Sequence, residues 1–206
     1  RHTRCLSDWS SDVCSSDLNL VERMVVQAEG PEIGLEDLPS NGLVLVLDQV
    51  TDPHNFGAIV RTAAAFGVDA IVTTERHSPA QSGVLAKSAS GALEHVPLCP
   101  VVNLARAMEA LEDMGYRRVG LDSDAPEILD DLELARPLAL ALGAEGKGLR
   151  RLTRENCDHL ARLDLPGAIR SLNVSNACAA ALTLTRLKLR GAAQQAARTR
   201  DGAGGA

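Results

Sequence analysis

Apolar residues in this chain fall into short unbroken runs separated by polar stretches that carry helix caps and turn residues. Leu43–Leu47 is a continuous apolar run closed by Asp48, the pattern of a strand buried on both faces. Thr51 or Asp52 stands where a helix cap is expected, Pro53 suits the first helical position, and Gly67 predicts a stop after Ala65 and Phe66. Ala70–Thr74 reads as a second strand, followed by a helix over 79–90 that ends at Gly91. Asn103 caps a helix to about Met114, with Gly115 as its stop, and strands follow at Arg118–Asp122 and Leu138–Leu142. A loop over Gly143–Gly148 leads into a short helix through Asn156, and His159–Leu165 is a strand closed by Pro166 and Gly167. A last helix runs from about Leu172 to Leu189, with small and apolar residues at helical spacing: Ala177, Ala180, Leu184 and Leu187. Strands and helices alternating at these lengths predict βαβ units, and so an α/β fold with a parallel sheet flanked by helices. Ligands of such sheets sit beyond the carboxyl ends of the strands, which directs attention to Asp48–Arg61, Gly143–Gly148 and Pro166–Asn176.

The ends of the chain lack this regularity. Residues 1–18 repeat Ser-Asp at Ser7, Ser11 and Ser16, resemble a translated sequencing adapter, and are read as non-native or disordered. Residues 19–41 join a short apolar run to an acidic, Pro- and Gly-rich linker, residues 42–191 form the regular domain, and 192–206 are read as a disordered tail.

Composition narrows the function classes. The 206 residues, 45% apolar and 23% charged, suit one globular domain, and two Phe, one Tyr and one Trp make its core aliphatic. No run of about 18 apolar residues is present to span a membrane. The five cysteines form no C-x-x-C pair, which argues against a zinc site and a disulfide framework and fits a reducing cytoplasm. A net charge of -6 and few aromatics mean that any RNA binding must rest on local basic clusters or on a part of the protein outside this chain.

Three segments can carry chemistry. DQVTDPHNFGAIVR follows a strand and opens a helix, with Asn55 and Arg61 as polar residues on an apolar helix and His54 as a weak candidate beside them. On spacing alone Asn55 also suits a helix-start hydrogen bond and Arg61 a solvated arginine, although Arg offers bidentate donors for phosphate. LALGAEGKGLRRLTREN places three glycines in six positions after a strand, which lets a ligand approach the backbone. It has the G-x-x-x-x-G spacing of a phosphate loop but Leu149 and Arg150 where Lys and Ser/Thr are required, and it lacks the third glycine of a dinucleotide fingerprint. Glu145 within the loop would repel phosphate and suits a cationic or hydroxyl group. Arg150, Arg151 and Arg154, with Lys147, form a local basic cluster or a solvated helix face. DLPGAIRSLNVSNA sets Ser171, Asn173, Ser175 and Asn176 at a helix start that needs only one cap.

Taken in order, N-x-G-x-x-x-R (Asn55, Gly57, Arg61), LGAEGKG and SLNVSNA resemble the three motifs of the SpoU (TrmH-like) branch of the SPOUT RNA methyltransferases, over about Leu43 to Leu189. DxVTDPHNxGA, GAEGxGxRRLTRExCD and SLNVS resemble most the members that methylate a guanosine ribose 2′-hydroxyl in 23S ribosomal RNA. The resemblance implies a SPOUT-type α/β knot, in which the C-terminal segment threads a loop as a trefoil. It also implies a homodimer and bent S-adenosyl-L-methionine as cofactor, with no metal. It implies cofactor contacts at Gly143, Leu163 and Leu172, and catalytic polar residues at Asn55, Arg61, Glu145, Ser171 and Asn173. Ribosomal members carry a small N-terminal RNA-binding domain before the linker, and at most its end, Asn19–Ala28, would stand here. A transfer-RNA ribose methyltransferase, a non-catalytic RNA-binding relative and a nucleotide-binding α/β enzyme are the competing expectations.

Overall fold

The computed structural model describes residues 31–77 and 83–203. The expectations for residues 1–18 and 19–30 lie outside them. Seven parallel strands, β1 Leu43–Asp48, β2 Ala70–Thr74, β3 Leu98–Val101, β4 Arg117–Leu121, β5 Glu127–Ile128, β6 Leu138–Gly143 and β7 His159–Arg162, form one sheet in the order β3-β2-β1-β6-β4-β7-β5. The helices are α1 Pro53–Phe66, α2 Gly83–Ala89, α3 Leu104–Asp113, α4 Arg151–Glu155 and α5 Val174–Ala203. Among the described residues no helix is long and apolar enough to cross a membrane.

The central strand explains the layering. Every residue of β1 is buried, and alternate side chains enter opposite cores. Leu43, Leu45 and Leu47 pack with Ile59, Val60 and Ala63 of α1 and with Cys178, Ala181 and Leu182 of α5. Val44 and Val46 pack with Leu104, Met108 and Leu111 of α3. Asp52 caps α1 by accepting from the Asn55 amide at 2.8 Å, and Gly67, at φ 62°, closes it in the left-handed conformation. Gly57 sits where α1 crosses α2: a β-carbon there would lie 2.9 Å from the Ala89 amide nitrogen and overlap the Ser88 side chain.

Several elements differ from the sequence pattern. Leu98–Val101 contains Pro100, which lacks the N–H of a central strand, and β3 lies accordingly at an edge of the sheet. Glu127–Ile128 is too short to leave a periodic trace. The described part of the expected linker is seated against β3: Ile33 N–H donates to the Leu98 carbonyl and Leu98 N–H to that of Pro31, each at 2.9 Å. Backbone groups that would otherwise stand unpaired on an edge strand are thereby satisfied. β7 stops at Arg162, three residues before the predicted end at Leu165. Helix α5 runs on to Ala203, past Leu189 and through much of the segment read as a tail, because its Ala, Gln and Arg residues are strong helix formers.

An ion network joins α3, β4 and the start of β7. The buried Arg118 guanidinium donates to Asp158 through Nε at 3.2 Å and Nη2 at 2.7 Å, and through Nη1 to Glu112 at 2.7 Å. Arg118 holds the Asp158 carboxyl below its ordinary value of 3.8. A carboxylate shifted down in the folded state contributes stability that is complete above its unfolded value and is lost as pH falls through the folded one. Wild type is therefore expected to exceed Asp158→Asn in urea stability near neutral pH, with a gap that closes below about pH 4. A gap of constant size between neutral and acid pH would contradict this assignment.

Candidate active site

A cavity of about 480 Å³ opens at the carboxyl ends of β4, β6 and β7. Three loops wall it: 121–123 after β4, 142–148 after β6, and 161–174 leading into α5. Its position matches the expectation for parallel sheets, and its size suits a small organic ligand. Gly143, Glu145, Leu163, Ser171, Leu172 and Asn173 all line it.

The loop after β6 is tight. Gly148 N–H donates to the Ala144 carbonyl at 2.9 Å, with Gly146 at φ 77° and Gly148 at φ 65° making the turn. A β-carbon on Gly143 would overlap the carbonyl of Gly148 and the amide of Leu149. The wall at this point is therefore bare backbone, and the ligand can approach polar main-chain groups directly.

Three side chains from distant segments meet at the cavity. Asn173 Nδ2 donates to Asn55 Oδ1 at 3.0 Å and to Glu145 Oε2 at 3.3 Å, and Asn55 Nδ2 donates to the same Glu145 oxygen at 3.3 Å. The orientation of both amides follows from the backbone. Ser175 N–H donates to Asn173 Oδ1 at 2.9 Å, so that atom is an acceptor and Nδ2 faces Asn55 and Glu145. Asn55 must then present its oxygen to Asn173 and its nitrogen to the carboxylate. Asn173 thus caps α5 and joins the network at once.

Other predicted residues stand apart. Arg61 lies on α1 outside the cavity wall, exposed, with no hydrogen bond or ion pair among the described residues. Exposed His54 also lies outside the wall. The basic cluster is largely engaged within the chain: Arg150 pairs with Asp48, Arg151 with Glu155 and Arg154 with Asp122. Lys147 is exposed.

Sequence reasoning missed Asp122, Arg162 and Arg170, which also line the cavity. Asp122 pairs with Arg154 at 2.6 Å, and Arg162 donates to the carbonyls of Ala125 and Pro126 at 2.7 and 2.6 Å. The signal for Asp122 was available, since it is the last residue of the predicted strand Arg118–Asp122, at the carboxyl end where ligands are expected. Leu163 and Leu165, read as strand, turn out of the sheet to form cavity wall.

Fold and site together define an α/β domain with a cavity at the carboxyl ends of a parallel sheet, bounded by three loops that follow its strands. The model of the SpoU rRNA methylase family matches residues 42–183, and the chain belongs to that family. It is 51% identical over 141 residues to the 23S rRNA (guanosine-2′-O-)-methyltransferase RlmB of Nitrosomonas europaea, covering 68% of this chain and 54% of that one. It is 45% identical over 176 residues to RlmB of Pseudomonas aeruginosa, covering 85% and 71% respectively. The crystal structure of the SpoU methyltransferase AviRb from Streptomyces viridochromogenes, in complex with the cofactor AdoMet, superposes with a TM-score of 0.68 at 25% identity, over 73% of this chain and 59% of that one. The chain spans about half the length of the Nitrosomonas relative.

Proposed function

We propose that this protein transfers a methyl group from S-adenosyl-L-methionine to the 2′-hydroxyl of a ribose in RNA, a guanosine of 23S ribosomal RNA. The observation that carries the reading is the meeting of Asn55, Glu145 and Asn173, one from each motif, at a cavity walled by the Gly143–Gly148 backbone. The names of the relatives and the cofactor in the AviRb structure point the same way.

The cavity suits that cofactor chemically. Leu121, Leu142, Leu163 and Leu172 offer an apolar bed for an adenine, the bare backbone offers directional polar groups, and Asp122 and Glu145 offer acceptors for cationic groups. When bound, the cofactor supplies an electrophilic methyl on a sulfonium, and its neutral thioether product leaves without help from a Lewis acid. The remaining work is positioning and proton removal. Glu145, held by both asparagines, orients the loop and the target ribose. Ser171, exposed on the cavity wall, or the target phosphate relays the proton lost by the hydroxyl out to solvent as the new carbon–oxygen bond forms and the sulfur–methyl bond breaks. Arg61 does not serve as a free base, because a guanidinium keeps its proton in proteins. It holds the target phosphate and polarises the hydroxyl. Arg61→Lys is expected to keep wild-type stability and lose about 10²-fold in methyl transfer, because Lys cannot make the bidentate contact. Full activity in a transfer assay on 23S RNA would remove Arg61 from the mechanism.

The finer architecture belongs to the same reading. The C-terminal segment threads as a trefoil knot, a view supported by β7 lying between the earlier strands β4 and β5 and by 161–174 closing the cavity against two other loops. The protein acts as a cytoplasmic homodimer without a metal. Residues 42–191 are the methyltransferase domain. Residues 19–191 alone should bind cofactor but bind RNA poorly. Mapping ribose methyls in 23S RNA from a deletion strain, with and without complementation, tests the function: an unchanged map refutes it.

A further inference from the structure

One fully buried carboxylate lies beside the cavity and outside the Asn55–Glu145–Asn173 network. Asp48, the last residue of β1, is completely excluded from solvent. Its Oδ2 accepts from the Arg150 amide at 2.9 Å and from Thr153 Oγ1 at 2.7 Å, and its Oδ1 accepts from Arg150 Nε at 2.5 Å. These donors come from one short stretch of chain 102 to 105 residues further on. Helix α4 has no side-chain cap hydrogen bond, and Asp48 accepts instead from the amide of its N-cap residue, Arg150. Gln49, at φ 61°, turns the backbone aside immediately after it.

The consequence lies one strand away. Asp48 pairs in register with Gly143, the last residue of β6. The cavity loop leaves the sheet at Gly143 and returns at Arg150. Its outgoing limb is held by the β1–β6 ladder, and its returning limb is gripped by Asp48. Between these two anchors stands Glu145.

We infer that Asp48 is a positioning residue for the 143–148 loop: its three hydrogen bonds set where the returning limb lies, and with it the backbone wall of the cavity and the Glu145 carboxylate. Its bearing on the cofactor rests on the function proposed above. Its bearing on the loop does not.

Asp48→Asn tests this. The amide keeps the size of the carboxylate but turns an N–H toward donors that need an acceptor. In hydrogen exchange on the ligand-free protein, the Gly148 and Arg150 amides should accelerate by roughly tenfold beyond any change at Leu45 and Leu140 in the sheet. By calorimetry the Kd for S-adenosyl-L-methionine should rise by a similar factor, about tenfold. Thr153→Val, which keeps shape and removes one donor, should move both readouts in the same direction by less, and Thr153→Ser should restore them. That pair decides the matter if Asp48→Asn does not fold. Equal acceleration of loop and sheet amides, or no acceleration of the loop, assigns Asp48 to global stability alone and overturns the inference. A wild-type protein that fails to bind the cofactor would instead overturn the proposed function, while the exchange data still judge the clamp.

Discussion

Gly143→Ala should abolish most cofactor binding, with S-adenosyl-L-methionine affinity falling by about 10²-fold or more. The added methyl would overlap backbone on both Gly148 and Leu149, and no side-chain rotation can relieve a clash with main chain. Either the returning limb of the loop moves outward or β6 moves back. The second route is resisted because β6 is paired to β1 and β4 along its length. The loop therefore yields, carrying Glu145 with it. Overpacking of this kind costs roughly 1–3 kcal/mol, so the variant should melt lower yet remain folded. Calorimetric titration of the folded variant is the measurement, and wild-type affinity would mean that the loop adapts without disturbing the cavity.

The second large effect is expected at Asn173. Asn173→Ala removes two donors from the network and the cap of α5 together. Loss of the cap costs about 1 kcal/mol. Loss of the network frees Asn55 and Glu145 to reorient, and misplacement by about 1 Å is enough for a 10²-fold loss of methyl transfer. Asn173→Asp separates the two roles. Aspartate is as good a cap as asparagine, but it sets a carboxylate oxygen against Glu145 Oε2 and Asn55 Oδ1, where donors stood. The expected pattern is near-native melting with activity as low as in Asn173→Ala. If Asn173→Asp turned over normally, the network would be a bystander and the cap the whole purpose of the residue.

Both predictions depend on contacts that no local pattern displays, and the helix that follows Asn173 illustrates why. The spacing of small and apolar residues in α5 suggests a stripe through Ala177, Ala180, Leu184 and Leu187. The buried residues are instead Val174, Cys178, Ala181, Leu182 and Thr185, while Leu187 is 58% exposed. A helix rich in alanine satisfies 3.6-residue spacing on more than one face, and the choice is made by the sheet and α1 beneath it. The arginines after the cavity loop behave similarly. As a run they look like a local basic cluster or a solvated helix face, yet Arg150 and Arg154 are held by Asp48, the last residue of β1, and Asp122, just after β4. Arg61 shares a motif and a helix with Asn55, but only Asn55 reaches the cavity network.

What the sequence determined by itself is local chemistry: the doubly buried run of β1, the Asp52, Asn103 and glycine signals that start and stop helices, and the three strand-following segments from which the cavity is built. These are readable because propensity, capping and periodicity act over a few residues. The tertiary structure alone decided that Asn55, Glu145 and Asn173 share hydrogen bonds across as many as 118 positions of chain, that Gly143 must remain bare, and that Asp48 grips the far limb of the loop. Each depends on how strands order themselves in the sheet, and that order follows from packing summed over the whole core rather than from any one stretch of residues.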